Sequence, residues 1–252
     1  MSAPVFLVEP GALAAVAAGG EFLLDGTEGR HAGVVQRRAP GERVDVVDGA
    51  GVRLVGTVRA VGPEGVRLAV EDVVVEDEPS PRLVLVQALA KGDRDEMAIE
   101  AATEVGADAV VPWQAERSIV VWRGERAAKS RARWVGTVRA ATKQSRRARA
   151  PEVAQAVDGA GLRALVQRTR EAGGCALVLH EEATTPLAEV VLPAAGDVLV
   201  VVGPEGGIGA RELDGLLAAG AVTARLGPHV LRTSTAGPVA LALLAQRLGR
   251  WG

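Results

Sequence analysis

Apolar and polar residues alternate along the first third of the chain. The runs 44–47, 52–58 and 66–75 place Val or Leu at roughly every second position, and Asp48-Gly49, Gly51 and Pro63-Glu64-Gly65 interrupt them. A period of two with turn punctuation predicts half-buried strands, arranged as a small antiparallel β-barrel. Glu76-Asp77-Glu78-Pro79-Ser80-Pro81 follows, and its prolines cannot continue a ladder, so a domain boundary is expected after residue 77. Beyond it the pattern changes. Continuous apolar runs at 83–88, 109–111, 176–179, 198–202 and 223–226 have the form of parallel strands buried on both faces. Helical spacing marks 95–105, 127–142, 161–172, 210–219 and 235–248. The expectation is a β domain over 1–77 and an α/β domain over 78–252, its mostly parallel sheet covered by helices on both faces.

Composition narrows the function classes. No run of about 18 apolar residues occurs and no basic segment precedes an apolar core at the start, so neither a membrane span nor an export signal is expected. Cys175 has no second cysteine to pair with, which makes a reducing cytoplasm the simplest compartment. His31, His180 and His229 stand far apart with no Cys or carboxylate at ligand spacing, so no metal site is expected. Tyr is absent, which argues against RNA recognition by a sheet of stacking rings.

Charge gives a sharper signal. The chain carries 29 Lys and Arg against 31 Asp and Glu, a formal −2 that speaks against a nucleic-acid partner on average. Yet residues 126–149 hold nine cations (Arg126, Lys129, Arg131, Arg133, Arg139, Lys143, Arg146, Arg147, Arg149) and no acid; with those nine removed, the −2 becomes −11. A solvated helix face usually mixes signs, so this segment reads as a stripe for phosphate contacts.

Candidate chemistry sits at three strand ends. The run 198–202 leads into Gly203-Pro204-Glu205-Gly206-Gly207-Ile208-Gly209 and then a helix. Glycines there allow close backbone approach to a ligand, though a tight turn with a helix cap explains them equally well. The dinucleotide fingerprint fails because Glu205 takes the second Gly position, and no P-loop spacing occurs. Leu226-Gly227-Pro228-His229-Val230-Leu231-Arg232-Thr233-Ser234-Thr235-Ala236 follows the next strand, with Ser234 or Thr235 expected to cap the last helix. Leu179-His180-Glu181-Glu182 ends the third. Parallel strands ending together hold ligands at that sheet edge.

The pair Gly203-Pro204-Glu205-Gly206-Gly207 and 226–236 resembles the signature of the RsmE family, SPOUT-class methyltransferases of 16S ribosomal RNA. Ala88-Leu89-Ala90-Lys91-Gly92-Asp93-Arg94, Thr103-Glu104-Val105-Gly106-Ala107-Asp108, Glu116-Arg117-Ser118, Gln144-Ser145-Arg146-Arg147 with Pro151, and His31 to Arg37 with Pro40-Gly41 extend the similarity over nearly the whole chain. Departures occur at Met1–Phe6, where no Arg stands, and at Gln36, Ala101 and Lys143.

The resemblance implies a trefoil knot in the C-terminal sheet, a PUA-like N-terminal domain, and a homodimer that methylates uridine N3 with S-adenosylmethionine as cofactor. It places cofactor contacts at Leu179, His180, Gly203, Glu205, Gly207, Leu226, Gly227, Val230, Leu231, Thr233, Thr235 and Ala236. RNA contacts, on 16S rRNA or the small ribosomal subunit, fall to Arg37, Lys91, Arg117, Lys143, Arg146, Arg147 and Arg149. Uridine N3 becomes nucleophilic as its imide proton leaves and charge spreads to O2 and O4, so cations are needed there. Arg147 and Arg232 are the candidates, with Glu205 or water as base. Taken alone, Arg232 reads as a surface ion pair and Glu205 as a carboxylate complementing a helix dipole. Ribose 2′-O methylation and a non-catalytic RNA-binding assembly role are the alternative readings.

Overall fold

A computed structural model describes residues 3–251; Met1, Ser2 and Gly252, and with them part of the Met1–Phe6 departure, lie outside the described residues. The chain forms two compact units, Met1–Glu78 with Thr142–Ala150, and Pro79–Ala141 with Pro151–Gly252.

In the first unit, β1 (Val5–Leu7), β2 (Glu21–Leu24), β3 (Arg43–Val47), β4 (Val52–Gly62) and β5 (Gly65–Val75) make one sheet in the order β1-β3-β4-β5-β2. The pair β1/β3 is parallel and the others antiparallel. Helix α1 (Gly26–Arg30) runs directly into a π-helical turn, His31–Val35. Alternation sends Val44, Val46, Leu54, Val58, Val66, Leu68 and Val70 inward onto Phe6, Leu13 and Leu24.

The segment 142–150, which lies beyond the boundary expected after residue 77, packs with the first unit. Its Ala148 is fully buried against Val5, Leu7 and Val47. The Arg149 guanidinium donates to the Glu76 and Asp77 carbonyls. Arg53 on β4 donates to the Arg146 carbonyl at 2.7 Å. These partners lie 72 to 93 residues away, beyond the reach of periodicity.

The second unit contains β6 (Arg82–Ala88), α2 (Arg94–Glu104), β7 (Ala109–Gln114), α3 (Glu125–Gln144, its last turn counted with the first unit), β8 (Glu152–Val153) and β9 (Val157–Asp158). It continues through α4 (Gly159–Glu171), β10 (Cys175–Leu179), β11 (Asp197–Val202), α5 (Ala210–Ala218), β12 (Val222–Ala224) and α6 (Thr233–Arg247). The sheet is wholly parallel, in the order β12-β10-β11-β6-β7-β8, with β9 also pairing β7.

Both faces are apolar, as continuous runs require. Leu83 and Leu85 on β6, with Val198, Val200 and Val202 on β11, meet Ile99 of α2, Trp134 of α3 and Leu241 and Leu244 of α6. Val84, Val86, Leu199 and Val201 face Leu162 and Val166 of α4 and Leu216 of α5. Each such side chain contributes about 1.5–3 kcal/mol on leaving water. At Gly237 a Cβ would stand 2.7 Å from Leu85, so a glycine lets α6 lie close on β6 and β11. Asp108, almost buried, accepts from the Leu83 amide and from Arg250, both at 2.7 Å, and ties the chain's end to the sheet.

Candidate active site

The strands β12, β10 and β11 are parallel neighbours, so the segments following them leave from one sheet edge. They surround a cleft of about 570 Å3. The β10 end contributes Leu179, His180 and Glu181; the β11 loop Gly203 to Ile208; and the segment after β12 Val230 to Thr233, with Ala236 of α6. A smaller lobe of about 210 Å3 shares Leu179, His180, Val230, Leu231 and Ala236 and adds Leu226 and Gly227. The cofactor residues expected from sequence are thereby brought together, except Thr235, which lies on α6 outside the lining of either lobe. Neither Ser234 nor Thr235 caps that helix. Its N-cap is Arg232, whose carbonyl accepts from the Thr235 and Ala236 amides.

Three anchors fix the Gly203–Gly207 loop. The buried Thr233 hydroxyl donates to the Gly203 carbonyl at 2.9 Å. Glu205 accepts from the Arg94 guanidinium at 2.8 Å and from the Lys91 amide at 3.3 Å. Arg117 donates to the Gly206 carbonyl at 3.0 Å. At Gly207 the backbone takes φ +72°, a conformation that suits glycine. Behind the loop, Glu212 of α5 is buried and accepts from the Glu116 amide at 3.2 Å, bracing the residue that precedes Arg117.

The two glutamates shift in opposite senses. Burial raises the Glu212 carboxyl pKa, and the nearby Glu116 charge adds to the rise. Burial also pushes Glu205 upward, but its own backbone amide, Arg94 and the Lys91 amide outweigh that and hold it below the usual carboxylate value. A carboxylate so held is a weak proton acceptor. His180 Nδ1 accepts from the Glu182 amide at 3.2 Å, which fixes the ring at the end of β10.

Arg232 lines the cleft, exposed and without an ion-pair partner among the described residues. Arg94, also in the lining, stood in a sequence motif without an assigned role; only its approach to Glu205, 111 residues away, reveals one. Arg147 belongs to the first unit, whereas the cleft's lining comes wholly from the second.

Acids brought in by folding oppose parts of the basic segment. Lys143 holds both oxygens of Glu28, at 2.7 and 2.8 Å. Arg133 pairs with Glu96 at 2.5 Å, and Arg131 donates to the Val153 and Ala154 carbonyls. Arg146 remains exposed, with φ +59°, and Arg37 is exposed with φ +52°. Lys91 is exposed as well, and its backbone amide donates to Glu205. Among the described residues no group of three or more His, Cys, Asp or Glu is arranged to hold a metal, and no helix is long and apolar enough to cross a membrane.

Residues 76–245, from just before β6 to the last turn of α6, match the RNA methyltransferase domain family. Ribosomal RNA small subunit methyltransferase E of Mycobacterium bovis is 46% identical over 92% of this chain and 89% of its own length. This chain belongs to the ribosomal RNA small subunit methyltransferase E family. The Bacillus subtilis member is 32% identical, covering 89% of each chain. A member from Neisseria gonorrhoeae, solved bound to S-adenosyl methionine, superposes with a TM-score of 0.84 at 26% identity, covering 98% of each chain. Membership in the methyltransferase E family accords with the resemblance carried by the two C-terminal motifs, and the matched domain contains the whole cleft.

Proposed function

We propose that this protein transfers a methyl group from S-adenosylmethionine to N3 of a uridine in 16S rRNA, in the small ribosomal subunit. The observation that carries this reading is the cleft at the ends of β10, β11 and β12, floored by a glycine loop and flanked by an unpaired arginine. Its size falls in the range of about 300–1,000 Å3 usual for small-molecule sites. Gly203 and Gly207 permit close backbone approach, and Glu205, kept anionic by Arg94, complements a cationic sulfonium. The residues present therefore fit the cofactor that the gonococcal relative binds.

When bound, S-adenosylmethionine supplies the activated methyl. The chain's part is placement and charge. Arg232 is free to donate to the uracil O2 or O4 as negative charge develops there, and it stays cationic throughout. Glu205 is engaged by Arg94, so the N3 proton leaves to water rather than to this carboxylate. Arg94 and Arg117 hold the loop, while Arg147 and the exposed Arg146 and Arg37 are assigned to RNA docking through a PUA-like first unit.

The reading includes a knotted C-terminal segment, a homodimer and a cytoplasmic location. Support for the knot comes from α6, which returns from the edge strand β12 to pack on the central β6 and β11. Incubation with unmodified small subunits followed by nucleoside mass spectrometry tests the function. N3-methyluridine is the expected product; ribose-methylated nucleoside, or no product, overturns it.

A further inference from the structure

Gln87 is completely buried at the end of β6, paired in register with Val202 immediately before the glycine loop. Its side-chain amide donates to the Thr233 hydroxyl at 2.9 Å and to the Ala88 carbonyl at 3.2 Å. The Thr233 hydroxyl, having accepted from Gln87, has one proton to give, and gives it to the Gly203 carbonyl at 2.9 Å. The relay has one direction only. Were the Gln87 oxygen turned toward Thr233, one hydroxyl proton would face two acceptors.

Gly203 opens the loop after β11, and Thr233 follows directly on the segment after β12. The peptide between Gly203 and Pro204 carries no N–H, so its carbonyl is the sole hydrogen-bonding group by which its plane can be held. Meanwhile the Gln87 side-chain oxygen is buried without a partner. An orphaned buried acceptor is destabilising, a cost that a leucine of similar size would not incur. The amide is therefore explained by what its N–H end does.

We propose that Gln87 is a positioning residue that couples the two cofactor loops, setting the Gly203 carbonyl through the Thr233 hydroxyl. This rests on the reading of the cleft as an S-adenosylmethionine site. Gln87 itself does not line the cleft, so its effect is on loop order and cofactor affinity rather than on the reacting atoms.

The test uses the full chain with Gln87→Leu, Thr233→Val, the double variant and Thr233→Ser, titrated calorimetrically with S-adenosylmethionine. Each single loss is expected to raise Kd about tenfold. The double variant should be no weaker than either single one, because one relay is broken once, and Thr233→Ser should bind within about twofold of the parent. Parental affinity in Gln87→Leu, or single effects that multiply in the double variant, overturns the coupling. Hydrogen exchange of the unliganded chain gives a readout independent of cofactor binding. Faster exchange at 203–209 and 233–236 in Gln87→Leu supports the coupling, and unchanged exchange there overturns it. A parent chain that fails to bind S-adenosylmethionine would instead overturn the functional reading.

Discussion

Arg94 and Glu205 meet at 2.8 Å across 111 residues of sequence, joining the N-terminal end of α2 to the glycine loop after β11. The pair keeps Glu205 ionised and the loop in place. Because the carboxyl pKa is lowered on folding, its contribution is present above the ordinary value of 4.5 and is lost as pH falls through the lower, folded value. Removing the guanidinium in Arg94→Ala should therefore move the Glu205 titration upward, measured by NMR of the side-chain carboxyl carbon. An unmoved titration would mean that backbone amides alone hold the carboxylate down.

Arg232→Ala should lower kcat by about 100-fold, the scale of losing one charged donor at a developing oxyanion. S-adenosylmethionine affinity should change little, since the cation is assigned to the base and not to the cofactor. Single-turnover kinetics beside calorimetry separates the two; full turnover would return Arg232 to an ordinary surface role.

The exposed Arg146 and the paired Lys143 should differ in RNA binding. Arg146→Ala is expected to weaken affinity for 16S rRNA fragments and to reduce the salt slope by about one. Lys143→Ala should leave the slope nearly unchanged, because Glu28 already neutralises that ammonium. Filter binding across a salt series checks both. Equal slopes for the two variants would contradict the assignment.

Gly51→Ala should loosen the first unit. Its φ of +108° disfavours a side chain, and a Cβ there would lie 2.6 Å from the Arg149 guanidinium that holds the Glu76 and Asp77 carbonyls. The expected outcome is a lower melting temperature, with faster amide exchange at 148–150.

Cys175 should resist alkylation in the native chain at pH 8. Burial raises its thiol to about 11 despite the nearby Arg170, leaving little thiolate. Rapid modification by iodoacetamide before unfolding would contradict this.

The sequence was most legible where a physical signal repeats. Continuous apolar runs marked β6, β10 and β11, because strands buried on both faces admit few polar residues. The two-residue β8 and β9 carry no period and exist through pairing with β7. The loops that line the cleft were visible in their motifs, whereas Gln87, Arg94 and Glu212 were not, since their partners stand 146, 111 and 96 residues away. Counting charge from 126 to 149 found a basic segment but not the acids that fold onto it, such as Glu28 and Glu96. The expected cap at Ser234 or Thr235 failed because α6 begins earlier in the chain, with Arg232 at the N-cap and both residues already inside the helix.

Primer extension across 16S rRNA, after unmodified small subunits have reacted with this protein and S-adenosylmethionine, tests the central claim most directly. A methyl on N3 removes the Watson–Crick donor of uridine, so reverse transcription should arrest at one uridine and only in the complete reaction. Read-through at every uridine, with any methyl recovered on ribose or absent, would contradict the account.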